Sequence, residues 1–242
     1  MKHIHRFFVS HPIIAGRQVC LGRADSFHAC RVLRLKAGDG IEIAGSDGCV
    51  FSAEVKRVGE LVEATALSET GGNSRGIELV VAQALPQGRK LDRVVEKLSE
   101  IGVARLVPLY TEKSVVRRAG GTDVKLGRWR RIAAAAARQS RRAAVMDVAE
   151  PVMIGEWVAE FPGAAIALST EVTGSSLGEA VSGAELPMAL IAGPEAGFSH
   201  AELILLKDAG ACFATLGDQI LRTETSALIA ATIVMHRLGA LG

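Results

Sequence analysis

The chain has 242 residues, 49% of them apolar, and a formal net charge of +2. This length suits one large or two small domains, and the apolar share suffices for a substantial core. The longest apolar stretch, residues 225–235, has only about half the length of a membrane-spanning helix, and the amino terminus lacks a signal-peptide pattern. The four cysteines form no close pair of the kind that zinc sites use. We therefore expect a soluble, cytoplasmic protein that binds no membrane and no metal.

The small net charge conceals a strong segregation of charge along the chain. Residues 86–142 contain fifteen Lys and Arg against five Asp and Glu, whereas residues 143–242 contain three against twelve. Such segregation indicates that one face meets a polyanion. Solvated helices whose charges balance across the fold or a dimer are the alternative, and charge alone does not decide between the two.

The first seventy residues are rich in short β-branched or alternating runs, which predict strands. The runs are residues 5–9, 40–44, 49–55 and 61–67. One helix is predicted from Asp25 as N-cap to about Arg34. Residues 1–72 are therefore expected to form a small barrel of five short strands with one helix. A polar, glycine-rich linker is predicted at residues 69–76, and a second domain at residues 73–242.

Beyond the linker the pattern changes to strands that alternate with helices. Strands are predicted at residues 77–85, 105–110, 164–168, 188–192 and 212–216. Helices are predicted at residues 89–101 and 125–142, and from about 225 to Gly239. This alternation predicts an α/β domain with a mainly parallel sheet covered on both faces. Ligands of such sheets bind at the carboxyl ends of the strands.

Three loops follow apolar strands and are the candidates for a ligand site: residues 168–171, 191–199 and 216–225. Gly193 and Gly197 allow backbone to approach a ligand closely, and Pro194 stiffens the turn. Ser199 and Glu202 predict a capping box for the next helix. Exposed backbone groups on rigid turns suit an adenine and a ribose better than a phosphate chain. The sequence contains neither a P-loop nor a Gly-x-Gly-x-x-Gly turn, so a nucleotide-like ligand needs another binding mode.

Short motifs spread over nearly the whole chain carry a family resemblance. They are Arg6-Phe-Phe-Val9, His28 with Arg31-Val-Leu-Arg34 and Gly38-Asp39, Lys97-Leu-Ser-Glu-Ile-Gly-Val103, Ala137-Arg-Gln-Ser-Arg141, Gly193-Pro-Glu-Ala-Gly-Phe-Ser199 and Leu216-Gly-Asp-Gln-Ile-Leu-Arg-Thr-Glu-Thr225. In these motifs the chain resembles the RsmE-type 16S ribosomal RNA uridine-N3 methyltransferases of the SPOUT (trefoil-knot) class. The last two motifs together are the most specific.

The resemblance implies an N-terminal PUA-like, RNA-binding β-barrel over residues 1–72 and a C-terminal SPOUT domain with a trefoil knot over residues 73–242. It implies a homodimer that methylates uridine N3 in 16S ribosomal RNA. The substrate is either the free RNA or the assembled small ribosomal subunit. It also implies S-adenosylmethionine as the cofactor, held in the knot loops. The implied cofactor-binding residues are Leu168, Ser169, Thr170, Gly193, Pro194, Glu195, Gly197, Leu216, Gly217, Ile220, Leu221, Thr223 and Thr225.

The chain departs from the family pattern at a few positions. Ala196 stands where glycine is usual, and Gln219 stands where arginine is common. Ser99 replaces a usual threonine, and no proline follows Arg142. None of these changes removes an evident reacting group, but the methyl group of Ala196 bears on cofactor affinity.

Methyl transfer to uridine N3 requires removal of a proton or stabilisation of the resulting anion, and three residues are the catalytic candidates. Arg222 is expected to stabilise a uracil carbonyl that gains negative charge, and Glu195 or Glu224 is expected to accept the proton. The structural alternative for Arg222 is a salt bridge with Glu224 or a dimer partner. For Glu195 the alternative is a carboxylate that caps the next helix or faces the sulfonium charge.

Contacts with RNA phosphates are expected from a set of basic and polar residues. The set is Arg6, Arg31, Arg34, Arg89, Lys90, Lys97, Gln139, Arg141 and Arg142. Each one alone also fits a solvated surface charge, and only the set together with the charge segregation favours RNA. Two other functions stay open: methylation of a different RNA target by a SPOUT enzyme, and a catalytically silent RNA-binding assembly factor.

Overall fold

The computed structural model describes residues 4–72, 78–114, 122–171, 174–182 and 186–241. Its internal contacts divide the chain into an N-terminal unit, Met1–Arg75 with Ala137–Val145, and a C-terminal unit, Gly76–Ala136 with Met146–Gly242. The predicted boundary at residue 72 borders residues outside the described ranges. The assignment of Ala137–Val145 to the N-terminal unit was not predicted, because nothing in a sequence marks a return of the chain to an earlier domain.

The N-terminal unit is built on one five-stranded sheet. Its strands are β1 (Arg6–Phe8), β2 (Gln18–Cys20), β3 (Gly40–Ala44), β4 (Cys49–Val58) and β5 (Val62–Gly72), in the order β1-β3-β4-β5-β2. All pairs are antiparallel except β1 with β3. Alternate residues of β3, β4 and β5 are buried and form the core with Phe7, as the period-two pattern predicts.

The first four residues of the predicted linker, 69–72, belong to β5, and the last four, 73–76, lie outside the described ranges. Gly71 and Gly72 pair with Val50 and Cys49, beyond a register shift that lies between Glu69 and Gly71. Glycine is common beside such irregularities, so glycines can mark an uneven strand end as well as a linker. The fifth strand, β2, was not among the predicted runs, because a strand of three residues has too little pattern to detect.

The helix of the N-terminal unit also begins earlier than predicted. Helix α1 (Arg23–Phe27) has Gly22 as its N-cap and continues as a π-helical turn, His28–Val32. The predicted N-cap, Asp25, instead accepts a hydrogen bond from Arg138 at 2.9 Å. The Asp25 carboxylate therefore forms an ion pair with a residue distant in sequence and does not cap the helix.

The C-terminal unit is built on an eight-stranded sheet in which every pair is parallel, which confirms the predicted architecture. Its strands are β6 (Leu79–Ala84), β7 (Arg105–Tyr110), β8 (Asp147–Val148), β9 (Val152–Met153), β10 (Ala164–Leu168), β11 (Ser175–Ser176), β12 (Met188–Ala192) and β13 (Cys212–Thr215). The order is β11-β13-β10-β12-β6-β7-β8, and β9 pairs with β7. All five residues of β12 are buried, because helices cover both faces of such a sheet.

Among the described residues, six helices belong wholly or mostly to this unit. They are α2 (Lys90–Ile101), α3 (Thr122–Gln139), α4 (Ile154–Glu160), α5 (Leu177–Val181), α6 (His200–Asp208) and α7 (Thr223–Arg237). Helix α2 buries Leu91, Val94 and Leu98, as its apolar spacing predicts. Helix α3 ends at Gln139, three residues earlier than predicted, and Arg141 then adopts a positive φ of 54°. No helix among the described residues is long and apolar enough to cross a membrane.

Candidate active site

Three neighbouring strands of the C-terminal unit end at the same level. Leu168, the last residue of β10, lies opposite Ala192 of β12 and opposite Ala214 of β13. Because all three strands are parallel, the loops that follow them leave the sheet side by side at its carboxyl edge. The three candidate loops from the sequence are therefore neighbours in space.

These loops enclose a cavity of ≈ 450 Å³, which is within the range of about 300–1,000 Å³ that small-molecule sites occupy. Of the thirteen residues predicted to bind a cofactor, all line the cavity except Thr225. Among the predicted catalytic residues, Arg222 and Glu195 line it and Glu224 does not. The structure thus brings the predicted residues together, and their roles stay predictions.

Sequence reasoning missed several residues of the cavity wall. The wall also contains Lys90, Glu171, Phe198, Ala214, Thr215, Gln219 and Ser226. Lys90 is the most informative of these, because it comes from the start of α2 and not from any of the three loops. Lys90 is predicted from the sequence to contact RNA phosphates, and only the fold shows that it lies on the cavity wall.

The second loop, residues 193–199, owes its shape to two glycines. A Cβ atom on Gly193 would lie 3.2 Å from the ring of the buried Phe198, which is tighter than ordinary packing allows. Gly197 has a φ of +71° and its N–H donates to the Pro194 carbonyl at 3.0 Å. A side chain at either position would deform the cavity wall.

The predicted capping box closes this loop and is confirmed. The Ser199 hydroxyl accepts from the Glu202 N–H, and the Glu202 carboxylate accepts from the Ser199 N–H at 2.8 Å. From outside, the Lys113 ammonium donates to the carbonyls of Ala196 at 3.3 Å and Phe198 at 2.9 Å. The side chain of Ala196 is exposed and is not part of the cavity wall, so its methyl group does not narrow the site.

A buried hydrogen-bond chain ties the second loop to the third. The Thr223 hydroxyl donates to the Gly193 carbonyl at 2.6 Å and accepts from the Gln83 amide at 2.8 Å. Gln83 is fully buried on β6, and its side-chain oxygen has no hydrogen-bond partner. A glutamine inside an apolar strand was not singled out from the sequence, although a polar residue in a buried run is a usable signal.

The charged groups at the cavity differ in whether they are paired. Glu195 accepts from the Lys90 ammonium at 2.7 Å and from the Gln87 N–H at 3.2 Å. Burial opposes ionisation of Glu195, but the bonds from Lys90 and from backbone N–H groups outweigh it and lower the pKa of this carboxyl. Glu195 therefore does not cap α6, which was one structural alternative for it.

Arg222 stands in contrast to Glu195. It is the N-cap residue of α7, is exposed, and its guanidinium makes no ion pair or hydrogen bond with any residue that the structure describes. The proposed alternative of a salt bridge with Glu224 is thus not formed in the chain. One carboxylate oxygen of Glu224 is buried without a hydrogen-bond partner. Within the described ranges, no group of three or more His, Cys, Asp or Glu side chains is placed to hold a metal ion.

The predicted RNA-binding residues of the N-terminal unit divide into exposed and engaged groups. Arg31, Arg34, Gln139 and Arg141 are exposed. Arg6 is instead largely buried: it pairs with Glu42 at 2.8 Å and donates to the backbone carbonyls of Arg141 and Arg142. Arg142 is half-buried, and burial lowers the pKa of its guanidinium. The contacts of Arg6 are those of a structural residue, so the structure does not favour a phosphate contact for it.

In the C-terminal unit, two of the three predicted RNA-binding residues form ion pairs. Arg89 is exposed at the N-cap of α2. Lys97 bonds to Glu100 at 2.8 Å and to Glu96 at 3.1 Å, and these bonds raise the pKa of its ammonium group. Lys90 faces the cavity and pairs with Glu195. Of these three, Arg89 is the one that the structure leaves best placed for a phosphate.

Comparison with known proteins places this architecture in a family. The model of the RNA methyltransferase domain matches residues 73–235. Ribosomal RNA small subunit methyltransferase E of Synechocystis sp. is 32% identical over 93% of this chain and 75% of its own length. The protein of that name from Bacillus subtilis is 30% identical over 87% of this chain and 86% of its own length.

A solved structure agrees over nearly the whole chain. Ribosomal RNA small subunit methyltransferase E from Neisseria gonorrhoeae, bound to S-adenosyl methionine, matches with a TM-score of 0.86 at 26% identity, covering 97% of this chain and 98% of that one. The chain therefore belongs to the family of ribosomal RNA small subunit methyltransferase E.

Proposed function

We propose that this protein transfers the methyl group of S-adenosylmethionine to N3 of a uridine in 16S ribosomal RNA. The observation that carries the proposal is the cavity at the carboxyl edge of β10, β12 and β13, which is lined by twelve of the thirteen predicted cofactor residues. This cavity lies inside the region that matches the RNA methyltransferase domain. The relatives named above support the ribosomal substrate, and the relative with bound S-adenosyl methionine supports the cofactor.

The residues of the cavity fit this cofactor. Its volume suits a small molecule, and its wall combines apolar side chains such as Leu168 and Leu221 with backbone of Gly193 and Gly217. Two carboxylates, Glu171 and Glu195, face the same space and complement a sulfonium charge. When bound, S-adenosylmethionine supplies an electrophilic methyl group on a sulfonium sulfur.

Arg222 is assigned to the substrate side of the reaction. The uracil ring gains negative charge on its carbonyl oxygens as N3 loses its proton and forms the new bond to carbon. A guanidinium that has no partner among the described residues, on the wall of the cavity, is free to donate to such an oxygen. A preorganised donor of this kind stabilises charge that develops in the transition state.

The same geometry limits which group can accept the N3 proton. Glu195 faces the cavity, but its lowered pKa and its bond to Lys90 make it a weak base. Glu224 has a buried oxygen without a partner, yet it lies outside the cavity wall. We therefore assign the N3 proton to a solvent base such as hydroxide, which becomes water, with Arg222 stabilising the uracil anion that remains.

Several finer features belong to the same proposal and rest on family resemblance. They are a PUA-like N-terminal barrel, a trefoil knot in the C-terminal unit, a homodimer, and work in the cytoplasm on 16S RNA or the assembled small subunit. The exposed Arg31, Arg34, Gln139 and Arg141 are the candidates for phosphate contacts on the N-terminal unit.

The test is transfer of labelled methyl groups to small ribosomal subunits that lack their own uridine-N3 methylation, followed by nucleoside analysis. We expect 3-methyluridine as the labelled product. A different labelled nucleoside would overturn the assignment of the substrate and favour another RNA target. Binding of small subunits without any transfer would favour the silent assembly factor.

A further inference from the structure

We propose that Lys90 and Glu195 form the subsite for the amino-acid end of the cofactor, with Lys90 binding its carboxylate and Glu195 binding its ammonium group. The inference rests on the proposed function, because it takes S-adenosylmethionine as the ligand of the cavity. It gives a role to Lys90, which lies outside the three loops, and a specific contact to Glu195 of the second loop.

The geometry places an ion pair inside the ligand site. The Lys90 ammonium lies 2.7 Å from a Glu195 carboxylate oxygen, and both residues line the cavity. Their side chains are 37% and 35% exposed, so each retains a solvent-facing side that a ligand can reach. The pair joins the first residue of α2 to the second loop.

The charges of the cavity favour this assignment. The charged residues on its wall are Lys90, Arg222, Glu171 and Glu195. With Arg222 assigned to the uracil, Lys90 is the remaining cation for a carboxylate. A ligand with both an ammonium and a carboxylate complements an ion pair in antiparallel alignment, since each charge meets its opposite.

Lys90 and Glu195 can separate from each other and bind the charged groups of a ligand at a small cost in free energy. A half-exposed ion pair contributes little net stability, because solvent screens it and each charge keeps part of its hydration. The Gln87 N–H continues to hold Glu195 at 3.2 Å if Lys90 turns toward a ligand. The lowered pKa of Glu195 keeps it ionised at neutral pH and ready to bind an ammonium group.

A purely structural role for the pair predicts a different outcome from a ligand subsite. If the pair only fixes the second loop to α2, its loss weakens binding of every adenosine-containing ligand alike. If it binds the amino-acid end, its loss weakens only the ligands that carry that end. Two ligands separate these cases: S-adenosylhomocysteine, which has the amino-acid end and a neutral sulfur, and 5′-methylthioadenosine, which lacks the amino-acid end.

The experiment measures binding of both ligands by calorimetry to the wild-type protein and to Lys90→Met and Glu195→Gln. We expect each variant to lose about tenfold or more in affinity for S-adenosylhomocysteine, the effect of a lost charged hydrogen bond. The affinity for 5′-methylthioadenosine should change less than about twofold. Arg93→Met, which removes an exposed cation of the same helix outside the cavity wall, is the control and should alter neither ligand.

Equal losses for both ligands would overturn the subsite and leave the proposed function standing. Unchanged binding of S-adenosylhomocysteine in both variants would also overturn it. Failure of the wild-type protein to bind either ligand would contradict the proposed function itself and the subsite with it. Melting temperatures of the variants show whether any loss reflects unfolding, and Glu195→Gln serves as the near-isosteric variant that keeps the loop intact.

Discussion

The two units differ in how their polar side chains are partnered. In the N-terminal unit, the partly buried charges of Arg6 and Glu42, and of Asp25 and Arg138, form ion pairs. In the C-terminal unit, Lys90 and Glu195 pair on the cavity wall, but Arg222 on the same wall makes no ion pair with a described residue, and buried oxygens of Gln83 and Glu224 behind it lack hydrogen-bond partners. Satisfied polar groups indicate a structural role, whereas unsatisfied ones are tolerated where a site needs them.

The largest expected effect comes from the unpaired arginine. Arg222→Ala should lower the rate of methyl transfer by about 100- to 1,000-fold, because it removes the donor to the charged carbonyl. Its side chain forms no cap on α7, so stability should change by less than about 0.5 kcal/mol. Single-turnover transfer and thermal unfolding measure the two quantities.

Arg237→Ala is the matched control for this variant, since it removes the same charge at the other end of α7. It should leave transfer nearly unchanged. A similar rate loss in both variants would show that Arg222 acts through the net charge of the unit and not at the reacting ring.

Arg6, which forms an ion pair, should contribute to stability and not to catalysis. Arg6→Met leaves Glu42 largely buried without its partner, with side-chain exposures of 13% and 21% in the native pair. We expect a loss of about 2–3 kcal/mol in the free energy of unfolding, measured by denaturant titration. Cofactor affinity of the folded fraction should not change.

The control for Arg6 is an ion pair of the same unit that is exposed on both sides. Arg23→Met breaks the contact with Glu60, a pair whose side chains are 86% and 81% exposed, and should lower the free energy of unfolding far less than Arg6→Met does. If Arg23→Met destabilises the protein as much as Arg6→Met, then burial is not the reason why the Arg6 pair stabilises the fold.

The buried chain of Gln83, Thr223 and Gly193 offers an intermediate case. Gln83→Leu removes the donor to Thr223 but also the unpaired oxygen, so the free energy of unfolding should change by about 1 kcal/mol or less. The hydroxyl of Thr223 then loses one of its two bonds, and we expect cofactor affinity to fall about three- to tenfold.

Thr223→Val tests the same chain from the other side. It breaks the bond to the Gly193 carbonyl at 2.6 Å and leaves the Gln83 amide without that acceptor. If the two residues act as one unit, the double variant should lose less affinity than the sum of the single variants. Additive losses would contradict the chain.

The smallest expected effect concerns Glu195 and pH. Its folded-state pKa is lowered, so its stabilising contribution is present above about pH 4.3, the ordinary value for glutamate, and disappears as the pH falls through the lower folded-state pKa. Glu195→Gln should therefore be slightly less stable than the wild type at pH 7, and the difference should vanish in acid. A difference that grows in acid would mean that the pKa is raised.

Sequence reasoning recovered the longer strands of both units better than the strands of two or three residues. The runs that become β7, β10 and β12 were predicted with their bounds unchanged, because strands buried on both faces form unbroken apolar runs. Three-residue β2 and two-residue β8 have no such pattern. The N-cap at Gly22 was missed because Asp25, the better capping residue by type, pairs with Arg138, more than a hundred positions away.

In the candidate site, the residues with a local sequence signal were predicted, and those placed there by the fold were not. Loops after apolar strands were recognised from glycine, proline and capping residues, and these became three walls of the cavity. Lys90 and Gln83 were not recognised as parts of the site, because their roles depend on which elements the fold makes neighbours. Burial of Arg6 was likewise invisible, since an arginine near the amino terminus gives no sign of its partner.

The cavity between the three loops is proposed to hold S-adenosylmethionine, and a crystal structure of the protein with S-adenosylhomocysteine would show whether it does. We expect the adenosyl group between Leu168–Thr170 of the first loop, Gly193 of the second and Leu216–Leu221 of the third, with the amino-acid end at Lys90. A ligand found outside this cavity, or a cavity that stays empty at concentrations that saturate binding in solution, would contradict it.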